Sequence, residues 1–287
     1  SMDATDFTGF PNIDTDKGIA SYYPFDVFPT VNTPIPQGYT GWLIFLDEFN
    51  SGDDDVLKAA YKFILDRKVN QTKLHERVVI VCAGNKSTDK AIVNDLGSAL
   101  QSRFVNFLLD VDATQFIEHA EAAEFDHRVI SYLRFRPEMV HKFDPNHDDL
   151  TFPCPRTWDM LSSILKTNTV DVTSYDNLPL VNGCIGSGTG REFFNYLKVY
   201  RNLPDIQSII KDPINTLIPG EPANLYALSG VLGESASMQN YANLLKYAER
   251  MTPEFQLITL QAMCRKHPSI RATPETTQLS SKLAELI

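Results

Sequence analysis

No Gly-Lys dipeptide occurs anywhere in the 287 residues. The phosphate loop G-x-x-x-x-G-K-[ST] is therefore missing, and with it the backbone amides and lysine that cradle nucleotide phosphates. There is no C-x-x-C and no His-rich pair. The four cysteines, Cys82, Cys154, Cys184 and Cys264, are far apart and sit inside apolar runs. They read as buried thiols and not as zinc ligands. No apolar run is long enough to cross a bilayer, no signal pattern opens the chain, and neither repeats nor low-complexity tracts occur. Positive charge is scarce: 26 Lys and Arg stand against 36 Asp and Glu, for a net charge of −10. That balance argues against bulk, non-specific nucleic-acid binding, though it leaves room for a local basic pore. With 43% hydrophobic residues, the expectation is a cytoplasmic globular protein of one large or two small domains.

What is present concentrates around residues 42–50, Trp-Leu-Ile-Phe-Leu-Asp-Glu-Phe-Asn. Trp42 to Leu46 is short enough for a fully buried strand. It ends in adjacent carboxylates, Asp47 and Glu48, at the place where an open α/β sheet binds its ligand. Asp47 has the chemistry to hold Mg²⁺ through water, and Glu48 to polarise an attacking water. The plainer alternative is a strand followed by an acidic helix start. Asp53, Asp54 and Asp55 then precede a helix whose apolar face is Val56, Leu57, Ala60, Tyr61, Ile64 and Leu65. A second apolar run, Val78 to Ala83, ends in Gly84-Asn85, where Asn85 is either a turn residue or a side chain set beside water or phosphate. A third segment, Leu96 to Phe104, reads as a short helix ending in Arg103 before a strand-like run, Val105 to Val111. Taken alone, an arginine there is ordinary solvated surface.

The order strand-Asp-Glu, helix, strand-Asn, helix-Arg-Phe, strand resembles the AAA+ ATPases, and most closely their MoxR-like branch. The resemblance implies that Asp47 and Glu48 form the Walker B pair, Asn85 is sensor 1 and Arg103 is the arginine finger. Thr5 to Pro11, with Phe28-Pro29, looks like the insert that precedes Walker B. Val129 to Pro137 and Phe152 to Trp158 are similar to the lid, which makes Arg156, after Pro155, the sensor 2 arginine. The likeness covers nearly the whole chain, more loosely beyond about residue 200. It implies ATP and Mg²⁺ as cofactors, a homo-oligomeric ring (usually a hexamer), remodelling of a client protein, and a von Willebrand factor A protein as a common partner. Its major departure is the missing phosphate loop, which should lie upstream of Asp47. The chain is accordingly expected to be the C-terminal portion of a longer protein, or a processed or truncated form. A non-catalytic ATPase fragment or assembly scaffold is the competing reading.

The expected fold is α/β: an incomplete AAA+ core with a parallel sheet flanked by helices, over residues 1–112. A helical lid follows over 113–201, and a C-terminal helical extension over 202–287. The glycine-rich stretch Asn182 to Arg191 mimics a phosphate loop. It lacks lysine and follows the Asp-Glu strand, so it is expected to be a flexible loop leading into a helix at Glu192.

Overall fold

The computed structural model describes residues 3–86, 94, 101–146, 148–167, 171 and 174–284, with only the backbone described at Arg201. The chain is mixed α/β, about 52% helical, and divides into two compact units, Ser1–Leu109 and Asp110–Ile287. Among the described residues no helix is long and apolar enough to cross a membrane.

The first unit opens with an antiparallel hairpin, β1 (Phe10–Asp14) and β2 (Ile19–Tyr23), with Phe10 opposite Tyr23 and Asp14 opposite Ile19. Gly9 starts it at φ +84°, where an added Cβ would lie 2.2 Å from the Tyr23 carbonyl oxygen, so only glycine fits. Flanking segments anchor the hairpin: Phe7 and Phe28 pack as tilted rings against Phe63 of α1 (Asp54–Asp66), at ring-centroid distances of 5.3 and 5.1 Å. The aromatic-rich first forty residues are thus ordered around a hairpin, which the sequence had not specified. Helix α1 starts with Asp54 and Asp55 in its first turn, as the helix dipole favours. It buries Leu57, Ala60 and Phe63.

Strands β3 (Trp42–Leu46) and β6 (Val78–Cys82) pair in parallel, Trp42 opposite Val78 and Leu46 opposite Cys82. A two-residue ladder, β4 (Lys68–Val69) with β5 (Thr72–Lys73), lies between them in sequence. One expectation fails here. Trp42 to Leu46 is not fully buried: Trp42, Ile44 and Leu46 turn toward the core, while Leu43 and Phe45 are exposed, as are Val79 and Val81 on β6. Period-two alternation puts all four on one side of the pair. Among the described residues only the other side is packed, by the cluster that contains α1. A second expectation also fails. Residues 105–111 form no strand, and Val105, Phe107 and Leu109 are more than 80% exposed. An apolar run becomes a strand only when a neighbour completes its ladder, and no strand among the described residues pairs with this one.

The second unit is helical. Helices α2 (Ala113–Ala122), α3 (His127–Phe135), α4 (Pro155–Lys166), α5 (Leu178–Ile185) and α6 (Ser187–Leu197) surround a core centred on Tyr132, Trp158, Leu161 and Phe193, all fully buried. Helices α7 (Ile206–Lys211), α8 (Pro222–Ser235), α9 (Tyr241–Ala248), α10 (Pro253–Lys266) and α11 (Pro274–Ala284) enclose a second cluster with Leu228, Leu244, Met263 and Ile270. Helix α8 serves both, giving Ala227 to the first and Leu225, Leu228 and Leu232 to the second. The glycine-rich stretch 182–191 is not a loop. Helix α5 runs through Ile185, turns at Gly186 (φ +79°), and α6 begins at Ser187. A Cβ at Gly190 would lie 2.3 Å from Asn182 Oδ1, so Gly190 serves close helix packing.

Candidate functional site

The ends of β3 and β6 bring three of the sequence-derived residues into one place. The strand ladder continues past β3: Ala83 N–H donates to the Leu46 carbonyl (2.9 Å), and Phe49 N–H donates to the Ala83 carbonyl (2.7 Å). Asp47 and Glu48 bulge out between these two bonds. Both side chains are exposed, and Asp47 Oδ1 accepts from the Glu48 N–H (3.0 Å). Glu48 adopts a left-handed backbone conformation (φ 49°, ψ 37°) and caps a single turn, Phe49–Ser51. The chain reverses there, so the pair projects beyond the carboxyl end of a parallel strand, where α/β sheets place ligands.

Asn50 is the residue that sequence reasoning missed. Its side-chain Nδ2 donates to the Asn85 carbonyl (2.7 Å) and its Oδ1 accepts from the Asn85 N–H (3.1 Å). The Asn50 carbonyl also accepts from Asn94 N–H (2.7 Å). One amide therefore clamps the main chain of Asn85 to the segment that follows Glu48. Gly84 makes room: a Cβ there would fall 2.3 Å from Asn50 Oδ1. The only sequence signal was Asn-Ser-Gly after the carboxylates and Gly before Asn85, and both read as ordinary turn chemistry.

Arg103 is exposed and lies in a turn after Gln101, which is helical; the expected helix over Leu96 to Leu100 lies outside the described residues. The next residue, Phe104, packs edge-on against Phe49 (6.3 Å between centroids), which follows Glu48. Phe104 thus ties the Arg103 segment to the carboxylate turn within the first unit.

Arg156 belongs to the second unit. It is the second residue of α4, behind Pro155 at the first position, and is exposed. Thr157 Oγ accepts from the Cys154 N–H (2.9 Å), closing the helix start, and the buried Trp158 Nε1 donates to the Met139 carbonyl (2.8 Å). No acidic residue occupies that first turn. A cation at the positive end of a helix works against the dipole by about 0.3–1 kcal/mol. Its neighbours hold the helix end in place, and Arg156 itself is exposed.

The carboxylates suit one part of a magnesium–nucleotide site. Mg²⁺ keeps several waters and takes one or two protein carboxylates, with phosphates completing its shell, and Asp47 is exposed enough to serve. No residue set in the sequence matches the phosphate loop. Cys82, at the end of β6, is no competing nucleophile, since burial pushes its thiol up to about 11. Among the described residues there is no group of three or more His, Cys, Asp or Glu set to hold a metal by protein ligands alone. Comparison with protein-family models, curated proteins and solved structures finds no match to this chain.

Proposed function

We propose that this chain carries the water-activating part of an AAA+ ATPase of MoxR-like type, which couples ATP hydrolysis to remodelling of a protein partner. The observation that carries the reading is the Asp47-Glu48 pair at the carboxyl end of β3, with Asn85 clamped beside it at the end of parallel β6. In this reading Asp47 holds Mg²⁺ through water, and the metal supplies charge neutralisation at the phosphates. Glu48 draws the proton from the attacking water. Asn85 orients that water, its own position fixed by Asn50. Residues 1–112 serve as the core remnant, 113–201 as the lid and 202–287 as an extension. Arg156 senses phosphate in its own subunit, and Arg103 reaches the neighbouring subunit's site in a homo-oligomeric ring. A von Willebrand factor A protein is the partner this reading favours.

The reading requires a phosphate loop that the sequence itself does not contain. Where this chain is joined to one, Glu48→Gln should keep nucleotide binding and lower turnover by about 10²–10⁴-fold, because the amide takes no proton. Unchanged steady-state hydrolysis in that variant removes Glu48 from the role. Arg103→Ala protein mixed with Glu48→Gln protein should regain hydrolysis, since one interface then pairs an intact Glu48 with an intact Arg103. An Arg156→Ala mixture should stay inactive.

The missing loop favours a second reading, a non-catalytic scaffold. Calorimetric titration of the 287-residue chain with MgATP tests what the two share, and joining a phosphate loop separates them. Both readings expect no micromolar binding by this chain, and such binding would instead point to a phosphate site of another kind. Hydrolysis after joining a phosphate loop supports the first reading; binding without hydrolysis supports the second.

A further inference from the structure

The second unit contains a cleft that the nucleotide reading leaves unused. Helices α8 and α10 approach closely at Gly233, where a Cβ would lie 2.4 Å from the Ala262 Cβ. Beside that contact two cavities open, each about 580 Å³ and each bordered by α2, α3, α8 and α10. They share a wall made of Glu121, Arg134, Tyr226, Ile258 and Arg265. The volume suits a small organic ligand.

The wall carries an unbalanced charge. Glu121 Oε1 accepts from Arg134 Nη2, and Arg265 Nη2 forms an ion pair with the same oxygen at 3.0 Å. Two guanidinium groups thus share one carboxylate oxygen. All three side chains are largely withdrawn from water, at 15% exposure for Glu121 and Arg134 and 28% for Arg265. Arg134 makes one further bond, to Gln261 Oε1 at 3.4 Å. The two guanidiniums offer ten N–H donors between them, and their remaining donors have no protein acceptor among the described residues. Two further ion pairs lie on these walls, which Glu118, Glu124, Lys166 and Arg271 also line. Arg128 binds Asp126 through Nε and Nη2 (2.8 and 2.7 Å), and Lys266 binds Glu234 (2.8 Å). Burial lowers the proton affinity of Arg265, Glu121 opposes that shift, and Arg134 adds to it. The triad is short of one negative charge, and in a chain of net charge −10 that local excess stands out.

Apolar surface adjoins it. Tyr226 and Ile258 face both cavities. The Tyr226 ring is held edge-on against Phe255 (4.9 Å between centroids), and its hydroxyl donates to Glu254 (2.6 Å).

We propose that this cleft binds a small organic anion, a carboxylate or phosphate carried on a flat apolar body. The anionic group sits between Arg134 and Arg265, and the body lies against Tyr226 and Ile258. Arginine suits the role because its planar fork binds either oxyanion in a bidentate manner. The assignment is independent of the ATPase reading and involves none of that site's residues.

Benzoate, phenyl phosphate and phenol titrated into the full chain, followed by calorimetry and NMR shifts, test it. The two anions should bind at about 1 mM or tighter, and phenol far more weakly. The stronger of the two anions tells carboxylate from phosphate. Arg265→Gln leaves a matched Arg134–Glu121 pair and should weaken binding at least tenfold. Glu121→Gln removes the shared carboxylate and should tighten binding. A merely structural triad does not give that opposite sign. Ile258→Trp should block the body without touching the charges, and it serves as the deciding variant if Glu121→Gln fails to fold. Failure of both anions to bind, or equal binding to wild type and Arg265→Gln, overturns the proposal.

Discussion

The β3–β6 pair of the first unit is built from continuous apolar runs and the α3–α6 cluster of the second from amphipathic helices, and their apolar residues end in different environments. Tyr132, Trp158, Leu161 and Phe193 are fully buried, whereas Leu43, Phe45, Val79 and Val81 leave one side of a parallel sheet open to water. Parallel strands are ordinarily covered on both faces. The difference lies in partners. The helices of the second unit pack their buried residues into two clusters, while among the described residues the strand pair meets neighbours on one side only. An apolar run reports the period of its element. It does not say how many neighbours will arrive.

The comparison can be broken or sharpened by substitution. The largest effect should come from Trp158→Ala, which removes a fully buried indole and its bond to the Met139 carbonyl. A loss of about 3–5 kcal/mol is expected in chemical denaturation of the second unit. A loss below about 1 kcal/mol would mean that this core is looser than its burial implies. Next is Asn50→Ala, which removes both clamps on Asn85. It should cost about 1–2 kcal/mol in the first unit and leave the second untouched, as amide hydrogen exchange at Asn85 and Phe49 would report. Smaller again is a pH effect confined to the second unit. Burial lowers the His127 pKa, against the opposing charges of Asp126 and Glu234. Its folded value thus lies below the unfolded one, so its contribution is complete above about pH 6.5 and is lost as pH falls toward the folded value. The Tm of the second unit should drop between pH 7 and 5, and His127→Gln should flatten that drop. An unchanged slope would assign it to other groups. The smallest effect belongs to Phe45→Ser, within about 0.5 kcal/mol if the outer face is open in solution. A loss of several times that would show that something covers it.

Much of this arrangement was legible in the sequence. Both strands, the helix α1 between them, and the placement of Asp47, Glu48 and Asn85 at strand ends follow from apolar runs that stop at polar residues. Residues 105–111 were misread because Val, Phe and Leu have strand character, but a strand also needs a partner, which composition does not reveal. The glycines of 182–191 were taken for loop residues; they lie in two helices and the turn between them, with Gly190 as a spacer and Gly186 at the turn, and a glycine that allows close approach looks the same in sequence as one that allows a turn. Asn50 went unnoticed because its bonds reach 35 residues along the chain. The Arg134–Glu121–Arg265 triad draws on three helices, so no local pattern announces it.

The backbone at Glu48 has one further consequence. A non-glycine residue in the left-handed region gives up about 1–2 kcal/mol relative to ordinary helical geometry, and glycine would relieve that strain at φ 49°. In the ATPase reading proposed above, durability and chemistry therefore make opposite demands at this position. Selection for heat tolerance alone should drift toward glycine at 48, while selection for the carboxylate should hold glutamate there despite the strain. A library randomised at position 48, sorted once for thermal survival and once for turnover with a phosphate loop supplied, would reveal which demand has shaped the site.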